Sequence, residues 1–414
     1  MKVLYFHTFV YISHKSHMAI LYNTTTNKYL NIYCKDTISL IAKMLKEKVY
    51  YICIHQGIAE SEYFSKFLND VENGMFGEVI NVKSLKSMPA YISPHITVAP
   101  CYATNLNQFK SKHKKEEQYS HEIGKDVLTN LLNITLHFSN STDNFKEFTH
   151  LWKQFIFPQV SNIRKKVNLE HFKNNINTTI TSFLNSFNLV IGDVDADDYD
   201  DIENLLQLFD CTRVRICIYI CINGFVMLPP NIKKKREYSY IIYLSEDLSE
   251  EKMNSIINNY NNVTFCKPIT SFIEEDNFDN ITYIPFYNKL NKKFCIDYLS
   301  YSFKELKDVP ISEKNILSNS IINQSIFGSL VILSDGKVYS SINRPSIGTL
   351  KTHTFSSLLF KELSEKGNWF LSRRKFLPCK KCVFNNLCPP VSNFELYMQK
   401  YDFCKRFPSR RFQR

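Results

Sequence analysis

Short apolar blocks separated by polar turns fill the first part of the chain. Residues 2–13 and 18–22 read as strands because β-branched and aromatic side chains crowd them, and residues 23–27 supply turn chemistry before a third strand at 28–33. The period then changes. Ile38, Ile41, Met44 and Leu45 recur at the spacing of one helical face, which predicts a helix over 37–47 with Asp36 as its N-cap. A strand at 50–55, a helix at 59–71 and a closing strand at 77–82 complete residues 1–90 as one small sheet with two helices. Pro89, Pro94 and Pro100, followed by the polar stretch 105–119, predict a linker over 91–126.

Beyond the linker, apolar runs of strand length alternate with amphipathic runs of helix length. Strands are expected at 131–138, 188–191, 214–221, 238–244 and 263–266, with helices at 198–209 and 249–260. Such alternation predicts an α/β fold of parallel units whose sheet is covered on both faces, spanning 127–310. The segment 311–414 changes character. Asp335-Gly336 between apolar residues 330–333 and 338–341 predicts a hairpin, and a cysteine-rich stretch follows it.

At 414 residues the chain exceeds one ordinary core, and 44% hydrophobic with 22% charged residues describes a folded protein. No apolar run approaches the roughly 18 residues of a membrane span. Residues 3–12 contain His7 and lack a small-residue cleavage site, so they read as a strand and not as a signal peptide; the expected location is the cytoplasm, with no membrane partner. Only 10 glycines are present, and neither G-x-G-x-x-G nor G-x-x-x-x-G-K-[ST] occurs, which excludes the usual nucleotide cradles. The formal charge of +11 is concentrated in residues 110–115, 233–236 and 405–414. These runs read as solvated loops and a tail in preference to a nucleic-acid face, and a basic balance suits an acidic peptide partner.

Twelve cysteines in a chain without a secretory signal do not suggest a disulfide framework. Cys53, Cys217 and Cys221 lie in apolar strands and read as small buried hydrophobes, the last two on one strand face. Cys379, Cys382 and Cys388 are different: a C-x2-C pair lets two thiolates close on one metal, and a third cysteine completes most of a site. Cys404 is the only cysteine further on. Ser392-Asn393-Phe394-Glu395 forms a capping box that would start a short helix and can carry Cys404 back as a fourth ligand. Four thiolates suit zinc or one iron-sulfur cluster (4Fe-4S), and a purely structural knot is the plain alternative. The acidic run 193–198 lacks the glycine and the bidentate Glu of a calcium loop, so its charges are assigned to the positive end of the following helix. No Ser/His/Asp or Cys/His arrangement is legible, and no catalytic residue is assigned.

The order of the hairpin at 331–339, Ile347-Gly348-Thr349-Leu350 and Cys379-x2-Cys382-x5-Cys388 resembles the SPASM/twitch domain of radical S-adenosylmethionine (radical SAM) peptide maturases. The hairpin continues as Tyr339-Ser340-Ser341 without a cysteine, and residues 389–392 replace a further one, so the resemblance implies at most one cluster. It also implies a partial β/α barrel over 127–310 carrying C-x3-C-x2-C after its first strand. Aligned there, the three positions fall on Ser141, Phe145 and Phe148, and the Gly-Gly-Glu segment of the family is reduced to Gly192-Asp193-Val194. Neither serine nor phenylalanine ligates iron like a thiolate.

The whole chain, including Phe9-Val10-Tyr11-Ile12, Leu21-Tyr22-Asn23-Thr24 and Lys28-Tyr29-Leu30, resembles the pseudo-radical-SAM proteins of Gly-Gly Bacteroidales-type peptide maturation systems. That resemblance implies a PqqD-like winged-helix recognition domain over 1–90, a degenerate barrel over 127–310 and a twitch-like cysteine-rich domain over 311–414. It further implies two partners, a radical SAM/SPASM maturase and a short Gly-Gly precursor peptide, and no use of S-adenosylmethionine by this chain. The expected function is that of a non-catalytic scaffold in the maturation of a ribosomally synthesised peptide. Two alternatives stay open: an enzyme using the metal at Cys379, Cys382, Cys388 and Cys404, and a basic zinc-containing nucleic-acid-binding protein.

Overall fold

A computed structural model of the chain describes residues 2–47, 49, 51–55, 61–83, 127–141, 145–176, 184–233, 235, 237–245, 248–260, 262–271, 281–299, 305, 308–401 and 404. The expected linker over 91–126, with the basic run 110–115, and the tail 405–414 lie outside the described residues.

The amino-terminal unit contains two antiparallel sheets where one was expected. Strands β1 (Lys2–Phe6), β5 (Tyr51–Ile54) and β6 (Gly77–Asn81) form the first in the order β5-β1-β6; β2 (Val10–Lys15), β3 (Met18–Asn23) and β4 (Tyr29–Ile32) form the second. The single strand expected over 2–13 is broken because the Val10 N–H returns to the His7 carbonyl at 3.1 Å, closing a turn that sends the chain from one sheet to the other. The helix Lys35–Glu47 begins one residue before Asp36, so Asp36 lies inside its first turn and is not the N-cap. Leu4, Leu21, Ile41, Phe67 and Val71 are the centre of a core shared by both sheets, this helix and the helix Glu62–Asn73.

All six residues of β3 are buried, which explains the unbroken apolar run from Met18 to Tyr22. Ala19 and Leu21 face the amino-terminal core, whereas Met18, Ile20 and Tyr22 pack on Ile311, Ile316, Val383, Phe384 and Leu387 of the carboxyl-terminal segment. The two ends of the chain therefore meet across one strand.

The remaining strands form a single nine-stranded sheet. Six of them, β7 (Asn133–His137), β8 (Ser186–Ile191), β9 (Arg215–Cys221), β10 (Tyr238–Tyr243), β11 (Val263–Ile269) and β12 (Ile281–Pro285), lie side by side in chain order and all parallel. β12 was not expected from the sequence: Pro285 ends it and is tolerated because β12 is the edge, and Pro268 of β11 lies past Cys266, where the pairing with β10 stops. On the other side, β13 (Ser329–Ile332) adds parallel to β7 and leads through the expected hairpin to β14 (Lys337–Tyr339) and β15 (Gly348–Thr349). Gly336 occupies the left-handed turn position at φ 79° that an Asp-Gly turn requires.

The two faces of the parallel strands bury different chemistry. On the outer face Ile134, Leu189, Ile218 and Ile242 pack against helices such as Leu169–Ile176, Asp198–Gln207 and Phe355–Ser364. The inner face is lined by Tyr219, Cys221, Tyr243 and Cys266 and is largely aromatic. The acidic run reads out as expected, with additional partners: Asp198 receives both Arg164 and Lys166, the latter at 2.8 Å, and Lys166 also reaches Asp201 at 2.6 Å.

Candidate metal centre

The cysteine segment is positioned by amide side chains from the helix Glu313–Ile321 and the turn after it. Asn319 Nδ2 donates to the carbonyls of Asn386 (3.1 Å) and Cys388 (3.2 Å), and Asn323 Nδ2 to that of Val391 (2.9 Å), so the loop carbonyls are held without regular structure of their own. The capping box is present: Ser392 Oγ accepts from the Glu395 N–H at 3.2 Å, and Glu395 Oε2 accepts from the Ser392 N–H at 2.9 Å. The helix it starts, Asn393–Met398, ends at Gln399 in the left-handed region (φ 53°) and turns the chain back. Tyr401 then stacks on Phe376 at 4.0 Å between ring centres, and its carbonyl accepts from the Cys379 Sγ at 3.0 Å.

This path brings Cys404 to the other three cysteines. Burial pushes the Cys388 thiol up to about 12, and Cys382, Cys404 and Cys379 are each near enough to add to that shift while Arg373 opposes it. Cys379 and Cys382 are raised chiefly by burial, again with Arg373 opposing. The thiols are therefore neutral at pH 7, and any soft metal they took up would displace their protons.

Arg373 is the hub of this arrangement, and the basic triplet 373–375 gave no sign of it. Its guanidinium forms a two-pronged pair with Glu395, Nη1 to Oε1 at 2.8 Å and Nη2 to Oε2 at 3.0 Å, both side chains nearly buried. It also donates to the carbonyls of Pro389, Pro390 and Tyr401 and lies 3.8 Å from Cys379 Sγ. Burial alone would lower the Arg373 pKa, but Glu395 overrides it and the guanidinium stays charged. The four cysteines lie within electrostatic reach of one another beside a fixed cation that favours thiolate, so their chemistry, though not their spacing, suits a soft metal. Among the described residues no group of three His, Cys, Asp or Glu side chains stands at metal-binding distances.

The inner face of the parallel strands presents the opposite case. Ser141 is knitted into the backbone, its N–H on the Gln159 carbonyl (2.7 Å) and its hydroxyl on Asp193 Oδ1 (3.1 Å). Phe145 adopts φ 64°, a left-handed conformation costly for a bulky residue, and its ring is buried in the interior 5.0 Å from Phe157 and 6.4 Å from Tyr243. Phe148 packs 4.9 Å from Phe286, and Phe157 links the two groups at 4.7 Å from Tyr243 and 5.2 Å from Phe286. Burying such rings contributes on the order of 1.5–3 kcal/mol each, enough to offset the strain at Phe145. The glycine of Gly192-Asp193-Val194 serves chain packing: a Cβ there would stand 2.3 Å from the Asn140 carbonyl carbon. The residues at 141, 145 and 148 therefore do not fit an iron-sulfur cluster. Cys217 and Cys221 do share the inner face, as their spacing predicts, and burial raises both thiols.

His137 lies at the carboxyl end of β7, buried, with its ring 5.7 Å from Trp152 and its Nδ1 unpaired among the described residues. Burial depresses its pKa to about 3. At the opposite surface of the cysteine segment, Cys382 and Cys388 border the apolar contact with β3. There the Tyr22 hydroxyl accepts from the Ile311 N–H at 2.8 Å, and Asn386 Nδ2 donates to the Tyr11 hydroxyl at 3.0 Å.

No family model matches the chain, and no curated protein matches it in sequence. Solved structures with a similar course of chain include Streptococcus suis SuiB bound to precursor peptide SuiA, at 10% identity and a TM-score of 0.45 over 97% of this chain and 100% of that one. SuiB bound to S-adenosylmethionine gives 11% and 0.42 over 93% and 94%. Native anSMEcpe with bound AdoMet gives 14% and 0.42 over 66% of this chain and 95% of that one. At such identities and TM-scores the likeness assigns no ligand, partner or reaction to this chain.

Proposed function

We propose that this protein is a non-catalytic partner in the radical-SAM-dependent maturation of a ribosomally synthesised peptide. The observation that carries the reading is the aromatic filling of the barrel: Phe145 and Phe148, the positions that align with cluster cysteines in the resembled family, are buried against Phe157, Tyr243 and Phe286. A barrel so filled has neither ligands for a cluster nor room at those positions for the cofactor the cluster reduces. Six parallel strands in chain order, extended past β7 by a hairpin, agree with the architecture the sequence resemblance implies.

In this reading residues 1–90 act as a PqqD-like domain that holds the leader of a Gly-Gly precursor. The barrel docks the active maturase, and the twitch-like segment from 311 onward supports both. Cys379, Cys382, Cys388 and Cys404 would hold one zinc ion or one iron-sulfur cluster, which when bound supplies a covalent lock on the segment that seats the amino-terminal unit. Arg373 and Glu395 hold that segment together in the meantime.

The test is the reaction of the purified, anaerobically prepared chain with S-adenosylmethionine and a strong reductant, with iron, zinc and acid-labile sulfide measured on the same sample. No 5′-deoxyadenosine above the protein-free control is expected. Its formation in proportion to protein would refute the scaffold reading.

A further inference from the structure

We propose that a groove at the carboxyl end of β7 and β13 binds an acidic peptide segment through Lys165 and Lys351. The inference rests on the reading of this chain as a peptide-binding partner and names the chemistry of one peptide contact. The groove holds about 580 Å³, within the range of ligand sites, and is walled by residues 165–171, the Asp335-Gly336 turn and residues 349–351. Ser139, just past β7, bridges to Lys166, and the turn follows β13, the parallel neighbour of β7. The groove thus opens at the end of the sheet where parallel strands present ligands.

The charges lining it are unequally committed. Lys166 is held by Asp198 and Asp201. Asp335 is answered inside its own turn, by Lys337 Nζ at 3.0 Å and the Lys337 N–H at 3.0 Å. Lys165 and Lys351 are exposed and form no ion pair among the described residues, and His171 adds an imidazole to the same wall. Two ammonium groups on walls fixed by a sheet end and a hairpin therefore remain for carboxylates.

Asp335 argues for a peptide over a nucleic acid. A ligand charged at every unit would add a negative charge beside the Asp335–Lys337 pair and compete for Lys337, whereas a peptide with spaced acidic side chains places neutral amides opposite that pair. Asn168 and Thr349 offer hydrogen-bonding side chains in the same walls.

The experiment uses the full chain and the fluorescein-labelled peptide Gly-Glu-Gly-Glu-Gly-Glu-amide, its Gln counterpart and a labelled oligo(U) 12-mer, followed by anisotropy. The Glu peptide is expected to bind at about 50 mM salt and to weaken steeply as salt rises, while the Gln peptide does not bind. Lys165→Glu with Lys351→Glu should weaken binding about tenfold or more. Lys252→Glu with Lys293→Glu, the same charge change elsewhere, should leave it unchanged. If the first pair alters the melting transition, Lys165→Gln with Lys351→Gln keeps the stems and gives the same reading. Equal loss in both charge-reversed pairs, or oligo(U) binding that only the first pair abolishes, overturns the proposal. A maturation precursor that binds wild type and the groove variant alike removes the groove and leaves the scaffold reading standing. Groove-dependent binding of the Glu peptide by a chain that forms 5′-deoxyadenosine does the reverse.

Discussion

The inner face of the parallel strands and the cysteine segment began as the two places where the sequence resemblance implied metal chemistry, and they have been treated in opposite ways. On the inner face two of the three expected ligand positions carry rings, and the strained turn at Phe145 is held by what its ring buries. In the cysteine segment four thiols remain, arranged around a buried Arg373–Glu395 pair that leaves their surroundings polar. Filling a cavity with apolar groups makes it a core, and a core does no chemistry. Keeping thiols beside a fixed cation keeps the donor chemistry of a metal site, though among the described residues not its spacing.

The sharpest way to break this contrast is to hollow the aromatic cluster on the inner face. Phe157→Ala removes the ring that touches Phe145, Phe148, Tyr243 and Phe286 and should cost about 4 kcal/mol in denaturant unfolding. A loss below about 1 kcal/mol would mean the interior is a pocket and not a core. Next, Glu395→Leu strands a buried guanidinium, removes the capping carboxylate and should cost about 3 kcal/mol, whereas adding Arg373→Met should recover only part of it, because the carbonyls of Pro389, Pro390 and Tyr401 then lose their donor. Full recovery by the double variant would mean that those carbonyl and capping contacts contribute nothing and that the pair serves charge balance alone.

Acid should act on the same sheet next. His137 has a folded pKa of about 3 against an ordinary value near 6.5, so below 6.5 the unfolded chain binds a proton that the folded chain refuses. Stability is complete above about pH 6.5, falls by about 2 kcal/mol by pH 5 and goes on falling toward pH 3. His137→Leu should flatten that slope in a pH series of melting curves. The smallest effect is expected at the contact between the ends of the chain. Tyr22→Phe deletes the hydroxyl that meets Ile311 and should cost about 1 kcal/mol. Faster hydrogen exchange at 311–316 would localise that loss, and unchanged exchange would put the contact outside the cooperative fold.

What could be read in the sequence follows from periodicity. Five of the six parallel strands, the Asp-Gly hairpin and the capping box at Ser392 each rest on neighbours within a few residues, and each is present. The break between β1 and β2 escaped because both halves are apolar and only the turn at His7 separates them. Phe145 and Phe148 were visible as missing cysteines, but nothing local told that their rings meet Tyr243 and Phe286 from distant strands. Arg373 likewise carried no local sign of its role. Its partners Glu395 and Cys379 are joined to it by a loop whose course depends on Asn319 and Asn323, far earlier in the chain.

The two-sided burial of β3 also sets a timetable for synthesis. Tyr22 and Ile311 are separated by 289 positions, so at a translation rate of ~5–20 residues per second the outer face of β3 is made ~15–60 s before its partner exists. During that interval Met18, Ile20 and Tyr22 are an apolar strip on an otherwise folded amino-terminal unit, a natural target for holding chaperones or for another copy emerging from the same message. A chain released before its last hundred residues would keep that strip bare, and its solubility, more than its activity, would report the truncation.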